Sequence, residues 1–203
     1  SGPDAANLRG FWRHCLAAAE AARRLAERSA LPVDAPAAAG AALLHDVGKI
    51  VLLHMCPQSY ARAVAAARTH RGGANEYERK VLAVDHLSAG RRLARSWGLG
   101  ELIESASWLH HQPPEAMPVS AARRAELAVV ALANQLVRRL GIGESGSFGR
   151  VGDLSAPAKA LGMAESDLSA VEDGLAEAVA RAERRLGLDA SPGGSADALL
   201  CAA

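Results

Sequence analysis

Aromatic residues make up only 3% of this 203-residue chain: three Trp, two Tyr and two Phe. An interior so poor in rings has to be closed by Ala, Leu and Val on helices that approach closely, which argues against the bulky packing of sheets. Cysteine is equally sparse. Cys15, Cys56 and Cys201 are an odd number without CxxC spacing, which excludes a disulfide framework and a zinc knuckle and suits a reducing, cytoplasmic setting. Net charge is nearly absent, at +1, so no strong field draws nucleic acid or an acidic membrane surface. A local pocket can still be basic and hold a phosphate-bearing small molecule. No apolar run approaches the roughly 20 residues that span a bilayer and no charged-then-apolar leader opens the chain, so a soluble protein without membrane partners is expected. No segment alternates well enough for a strand, and no internal repeat is present.

What the chain has is helical periodicity. Half of its residues are hydrophobic, and between Leu8 and Arg28 they recur as Phe11, Cys15, Ala18, Ala22 and Leu25, a period close to 3.6. Asp34-Ala35-Pro36 caps and starts a second helix through Leu52, and Pro57 starts a third that reaches Thr69. Glu76 to Trp97 gives a fourth helix, Glu101 to His110 a fifth and Ser120 to Leu140 a sixth. Gly141-Ile142-Gly143-Glu144-Ser145-Gly146-Ser147 has the composition of a linker. Beyond it lie a short helix, Ser155 to Leu161, and a long one, Glu165 to Leu186. The long one carries Leu168, Val171, Leu175, Val179 and Ala182 on one stripe, enough to dock on the domain or to pair with a second copy as a homodimer. The class is all-α. The organisation expected is a helical domain over 1–143, a helical extension over 144–190 and a disordered tail over 191–203.

The informative polar residues fall inside these apolar stripes. His14 lies among Phe11, Cys15 and Ala18, His86 among Leu82, Ala89 and Leu93, His110 among Ile103, Ala106 and Leu109, and Asn134 among Val130, Ala131 and Val137. His45-Asp46 stands within Leu43-Leu44-His45-Asp46-Val47-Gly48-Lys49, and His111 follows His110. An unpaired buried polar group costs about 2–7 kcal/mol, and an isolated charge far more. A single buried histidine is ordinarily a hydrogen-bonded core residue; a set of them beside a carboxylate is better satisfied by a metal ion. Imidazole and carboxylate donors suit Fe, Mn, Zn, Ni or Co, and the lack of paired thiolates argues against a structural zinc site. Asp46, neighbour to a ligand histidine, is the natural group to bridge two ions. Such ions lower the pKa of bound water. Lys49, three residues past Asp46, either holds a phosphate oxygen or forms an ordinary ion pair with Asp46, and the two readings weigh equally.

These residues resemble the HD superfamily of metal-dependent phosphohydrolases, and more closely its signalling branch HDOD, the HD-related output domain. The likeness rests on Phe11-Trp12-Arg13-His14-Cys15, on Gly40 through Leu52 around His45-Asp46, on Pro57-Gln58-Ser59-Tyr60, on Glu78 through Asp85-His86 and Gly90, on Trp97-Gly98-Leu99 and on His110-His111-Gln112-Pro113. Its register runs from residue 11 to 143 and implies an HD-like helical bundle. Carried over by position, it implies His14, His45 and Asp46 as ligands of a first metal, and His86, His110 and His111 as the additional ligands of two-metal members. Two features depart from the active enzymes. The closing aspartate of the ligand set is Asn134 here, a neutral and weaker donor. The segment after His111 reads Gln112-Pro113-Pro114-Glu115-Ala116-Met117-Pro118, without the Gly-Tyr-Pro that marks cyclic-dinucleotide phosphodiesterases.

The resemblance therefore implies a signalling output domain, of the kind found in response regulators, that keeps a divalent-metal site of one or two ions (Fe, Mn, Ni or Zn) and transmits its state to a signalling protein partner. A metal-dependent phosphohydrolase acting on a nucleotide or cyclic dinucleotide, with Asp46 and Lys49 in the reaction, stays open. So does an inert apo scaffold for protein interaction. His54 and His70 are expected on the surface, Trp12, Trp97 and Trp108 in packing, and Arg91-Arg92 and Arg138-Arg139 on solvated helix faces. Asp85 is an exposed helix residue or an orienting acceptor for an imidazole.

Overall fold

The computed structural model describes residues 5–188. The tail expected over 191–203, with Cys201, lies outside the described residues. Eleven α-helices follow one another among the described residues, without a strand: α1 (Ala5–Arg28), α2 (Ala35–Leu44), α3 (Val47–Met55), α4 (Pro57–Thr69), α5 (Ala74–Leu82), α6 (His86–Ser96), α7 (Glu101–Leu109), α8 (Ala121–Leu140), α9 (Ser155–Ala160), α10 (Glu165–Glu172) and α11 (Leu175–Arg185). The class is the all-α one expected. Local chemistry sets many of the ends. Asp34 caps α2 by accepting from the Ala37 amide at 2.8 Å, with Pro36 in the first turn. Ser120 caps α8, which ends at Gly141 in a left-handed conformation (φ +67°).

Helix α1 is the axis of the core. It packs on α2, α8, α10 and α11. Cys15, Ala17, Ala18, Ala21, Ala22 and Leu25 are fully buried. Alanine on so many of these positions lets the helix axes approach closely, which is how a chain with few rings reaches native packing density. The stripe Leu168, Val171, Leu175 and Val179 is buried in the same core cluster, so it docks on the domain and is not free for a second copy. The Gly/Ser segment read as a linker is laid against the domain: the Glu144 amide donates to Gly10 O at 2.8 Å, and the Phe148 and Gly149 amides donate to Gly72 O at 3.0 Å.

Three helices expected to be continuous are broken. Glu76 to Trp97 is divided into α5 and α6 by Ala83, whose φ is +60°, and by Asp85, which caps α6 by accepting from the Ser88 amide at 2.9 Å. Asp85 is buried and ion-paired with Arg79, not an exposed helix residue. Glu165 to Leu186 is divided at Asp173-Gly174, where Gly174 takes φ +61°. Asp34 to Leu52 is divided at His45-Asp46, which turns the chain so that α3 presses against α6. Contact there is so close that a Cβ on Gly48 would lie 1.9 Å from His86 O.

Contrary to the expectation of no long apolar run, the 21-residue segment Ala35–Met55 contains an 18-residue stretch of mean hydropathy 1.3. It is two helices, however, with His45, Asp46 and Lys49 buried at and just after their junction. Trp97 also differs from expectation. It is 69% exposed, whereas Trp12 meets Phe11 edge-on and Trp108 lies under the Arg91 guanidinium at 3.7 Å. Arg138 is half-buried where a solvated face was expected. His54 and His70 are exposed, as expected.

Candidate metal centre

The break at His45-Asp46 places the Asp46 carboxylate among side chains from five helices or their ends. His14 comes from the middle of α1, His45 from the end of α2, Lys49 from α3, His86 from the start of α6, and His110 with His111 from the end of α7. His14, His45, Asp46, Lys49, His86 and His110 are each at most 3% exposed, and His111 is half-buried. Of the sequence-derived ligand set, the five histidines and Asp46 are brought together with Lys49, while Asn134 is buried on α8.

Asp46 divides this set in two. Its Oδ2 faces His14 Nε2 at 3.7 Å and His45 Nε2 at 3.3 Å; its Oδ1 faces His86 Nε2 and His110 Nε2, each at 3.5 Å. Two groups result, His14 with His45 and Asp46, and His86 with His110 and His111, each with its donor atoms within 4.8 Å of one another. Donor atoms about 2.1 Å from one ion stand about 3.0–3.4 Å apart at tetrahedral or octahedral angles, which is close to the spacing seen. The carboxylate lies between the groups, the position a bridging ligand would take.

Hydrogen bonds fix the tautomers. His45 Nδ1 donates to Ala42 O at 2.6 Å and His110 Nδ1 to Ala106 O at 2.9 Å. A carbonyl can only accept, so both Nδ1 atoms carry the proton and both Nε2 atoms keep a free lone pair. His86 is held by Glu78, whose Oε2 accepts from both the His86 amide at 2.8 Å and His86 Nδ1 at 2.5 Å. Glu78 is buried on α5 and was not assigned a role from the sequence. It stands eight residues before His86 on a different helix, and the only signal in the sequence is a carboxylate at the start of the run Glu78 to His86.

The Nε2 atoms of His14, His45, His86, His110 and His111, with Asp46 Oδ1 and Asn134 Oδ1, are buried without any hydrogen-bond partner. Seven orphaned donor or acceptor atoms in one chain would cost more than a domain's stability can absorb if nothing filled them. A divalent cation satisfies lone pairs of this kind, and the residues present fit such an ion in donor type, tautomer and spacing. Burial keeps three of the imidazoles neutral, as ligation requires: it lowers His14 to about 3, with help from His45, and His110 to about 4 against the pull of Asp46; His111 falls far below its usual value. For Asp46, burial pushes the carboxyl up, but the Lys49 ammonium and His45 outweigh it and hold the group well below the usual range. Burial raises the Cys15 thiol, so that neighbour of His14 stays protonated and no ligand.

Lys49 makes the ion pair weighed from the sequence. Its Nζ donates to Asp46 Oδ2 at 2.6 Å and to Ser145 O at 2.7 Å, so it ties the carboxylate to the Gly/Ser segment. Asn134 is buried on α8.

The sequence profile of the HDOD domain matches residues 1–113. No curated protein matches the chain. Solved structures similar to it include an HDOD domain protein of unknown function from Geobacter sulfurreducens (TM-score 0.76, 24% identity, covering 90% of this chain and 64% of that one). Others are a provisionally assigned phosphohydrolase from Shewanella amazonensis (TM-score 0.61, 24% identity, 93% of this chain and 63% of that one) and the MmoQ response regulator from Methylococcus capsulatus (TM-score 0.62, 24% identity, 80% of this chain and 60% of that one). The chain spans less than two thirds of the length of these relatives, and at such identity the likeness is one of fold. With the profile covering more than half of its residues, the chain belongs to the HDOD family.

Proposed function

We propose that this chain is a signal-transduction output domain that holds one or two divalent ions, Fe, Mn, Ni or Zn, and passes its state to a signalling protein partner. The observation that carries the reading is the convergence of four unpartnered imidazole Nε2 atoms on Asp46, with a fifth, that of His111, beside His86 and His110. His14 and His45 with Asp46 Oδ2 would hold one ion; His86, His110 and His111 with Asp46 Oδ1 would hold the other. Asn134 belongs to the same proposal as a neutral donor to the first ion. The response regulator among similar folds supports the signalling role, and with it a cytoplasmic location. The helical domain over 1–143 would carry the metals, and the extension over 144–190 would stiffen it.

The second reading is a phosphohydrolase acting on a nucleotide or cyclic dinucleotide, and the placement of Asp46 between two donor groups favours it. A bound divalent ion would polarise a phosphoryl oxygen and acidify water. The chain's own residues would orient that chemistry: Ala42 O, Ala106 O and Glu78 fix the imidazole tautomers, Asp46 shares its oxygens, and Lys49 offsets negative charge. Two features weigh against turnover. Asn134 replaces a charged ligand, and Lys49 is engaged by both Asp46 and Ser145.

Metal analysis of protein purified without added ions tests the proposal. A transition metal at a substantial fraction of one ion per chain, lost in Asp46→Ala while the helical circular dichroism persists, is the expected result. Metal-free protein in both forms would leave the inert scaffold. Hydrolysis of bis-p-nitrophenyl phosphate with added Mn, rising in Asn134→Asp, would instead promote the enzyme reading.

A further inference from the structure

The segment that follows α8 runs past the metal cluster as a strap. Residues 141–151 form no helix, and their holds reach several different elements. The Glu144 amide donates to Gly10 O on α1 at 2.8 Å, the Ala74 amide at the start of α5 to Ser147 Oγ at 3.0 Å, and the Phe148 and Gly149 amides to Gly72 O at 3.0 Å. Arg138 of α8 donates to Gly149 O at 2.8 Å, and the Arg68 guanidinium faces the Phe148 ring at 5.0 Å. The strap is seated on α1 at Gly143, where a Cβ would lie 2.3 Å from His14 N. Yet it leaves a cavity of about 430 Å³, lined by His14 and by no other histidine. All of it lies beyond residue 113, outside the part of the chain that matches the family profile.

Lys49 is the side chain that bonds both to this strap and to the metal cluster. Its ammonium, only 3% exposed, donates to Asp46 Oδ2 at 2.6 Å and to Ser145 O at 2.7 Å. A buried ammonium is tolerated because a carboxylate pairs with it. The same Oδ2 is the oxygen that faces His14 and His45. A divalent ion on that side would share the oxygen with Lys49, and two cations on one carboxylate oxygen in a dry site repel strongly. Asp46 Oδ1 faces His86 and His110 and bears no ammonium, so the conflict is confined to one side. Lysine has a flexible four-carbon stem and can turn away, but doing so breaks its bond to Ser145 and removes the strap's inner hold.

From this arrangement we infer that the strap is an autoinhibitory latch on the His14 and His45 side. Closed, it keeps Lys49 on Asp46 Oδ2 and opposes an ion there; when an ion occupies that side, Lys49 leaves and the strap loosens. The inference rests on the two-group metal reading above and adds its regulation. Coupling of this kind is reciprocal: whatever loosens the strap must tighten ion binding by the same factor.

The experiment is equilibrium dialysis of the chelator-treated chain against buffered Zn²⁺, with bound ion counted by elemental analysis and amide exchange followed by NMR. The first ion should leave exchange at Glu144, Phe148 and Gly149 unchanged, and a weaker second ion should speed it about tenfold. Phe148→Ala, which removes the ring facing Arg68, should speed this exchange without metal and tighten the second ion by about the same factor. In Lys49→Met the second ion should also bind more tightly, with strap exchange no longer responding to it. Should Lys49→Met fail to fold, Phe148→Ala decides. Two ions bound with strap exchange unchanged or slowed, or a loosened strap in Phe148→Ala with the second affinity unaltered, would overturn the latch and leave the metal reading standing. One ion only, in the parent and in both variants, would do the same. No bound Zn²⁺ in any form would remove both.

Discussion

Replacing Gly48 by alanine tests whether the close packing of α3 on α6 builds the histidine cluster. A Cβ at this position would lie 1.9 Å from His86 O, 2.6 Å from Gly90 N and 2.8 Å from His86 C. All three are backbone atoms and cannot rotate away, so α3 and α6 would have to separate by more than an ångström. Overpacking of a core costs about 1–3 kcal/mol and more where nothing flexible yields, so the upper end applies. Against it stands the better helix propensity of alanine, about 1 kcal/mol. The net expectation is a loss of about 2 kcal/mol, or about 4–8 °C in Tm for a domain of this size. Gly90→Ala supplies the contrast, because its Cβ would meet Gly48 N and Ser107 Cβ at 3.2 Å, a contact that small shifts relieve. Urea unfolding of both variants in chelator measures the packing term alone. Metal content then measures its consequence, since separating the helices carries His86 away from Asp46. Gly48→Ala equal in stability to Gly90→Ala, or more stable than the parent, would refute the reasoning.

Two further predictions concern stability away from the cluster. Ala83 holds a left-handed φ of +60° at the end of α5, a conformation that costs a non-glycine residue about 1–2 kcal/mol; Ala83→Gly should raise the urea midpoint, by about 0.5 kcal/mol after the entropy of glycine in the unfolded chain is set against it, and a lowered midpoint would contradict the assignment. Glu20 is hydrogen-bonded by Arg23 and Arg24, and its pKa is lowered from 4.5, chiefly by the Arg23 bond. A lowered folded pKa contributes stability that is complete above the unfolded value and fades as pH falls through the folded one. Glu20→Gln should therefore unfold at lower urea than the parent at pH 6, with the gap closing below pH 4.5; a gap independent of pH would remove Glu20 as its source.

The apolar stripes were legible because burial leaves a period in the sequence: Phe11, Cys15, Ala18, Ala22 and Leu25 could be chosen without coordinates. The cluster was legible for the converse reason, that His14, His86, His110 and Asn134 interrupt such stripes with groups that need partners. What the sequence hid was mostly backbone. Ala83 is a good helix former, and only tertiary contact holds it at positive φ. Asp173-Gly174 is a turn signal set inside a continuous apolar stripe, and the stripe masks it. The Gly/Ser composition of 141–147 says that a segment is not helical, but not that its amides reach Gly10 and Gly72. Glu78 and Arg138 were hidden by exposure rules, since charged residues at such positions are solvated in most helices.

The charge of the cluster bears on how many ions it would hold. Asp46 and Glu78 bring two negative charges, Lys49 one positive charge, and the neutral imidazoles none. One divalent ion would leave this buried group at +1, and a second would raise it to +3 without a further carboxylate, since the residue that the family resemblance puts at the closing ligand position is the neutral Asn134. Buried charge of one sign is opposed unless counter-ions enter with it. Protein prepared in phosphate-free buffer should thus carry nearer one ion per chain than two. The tautomers and the free Oδ1 of Asp46 favour the His86, His110 and His111 side, since on the other side Oδ2 is already taken by Lys49 at 2.6 Å. Lys49 is in turn held by Ser145 at 2.7 Å, in the Gly/Ser segment that follows α8. Through that one lysine the metal cluster and the C-terminal segment are parts of a single electrostatic unit.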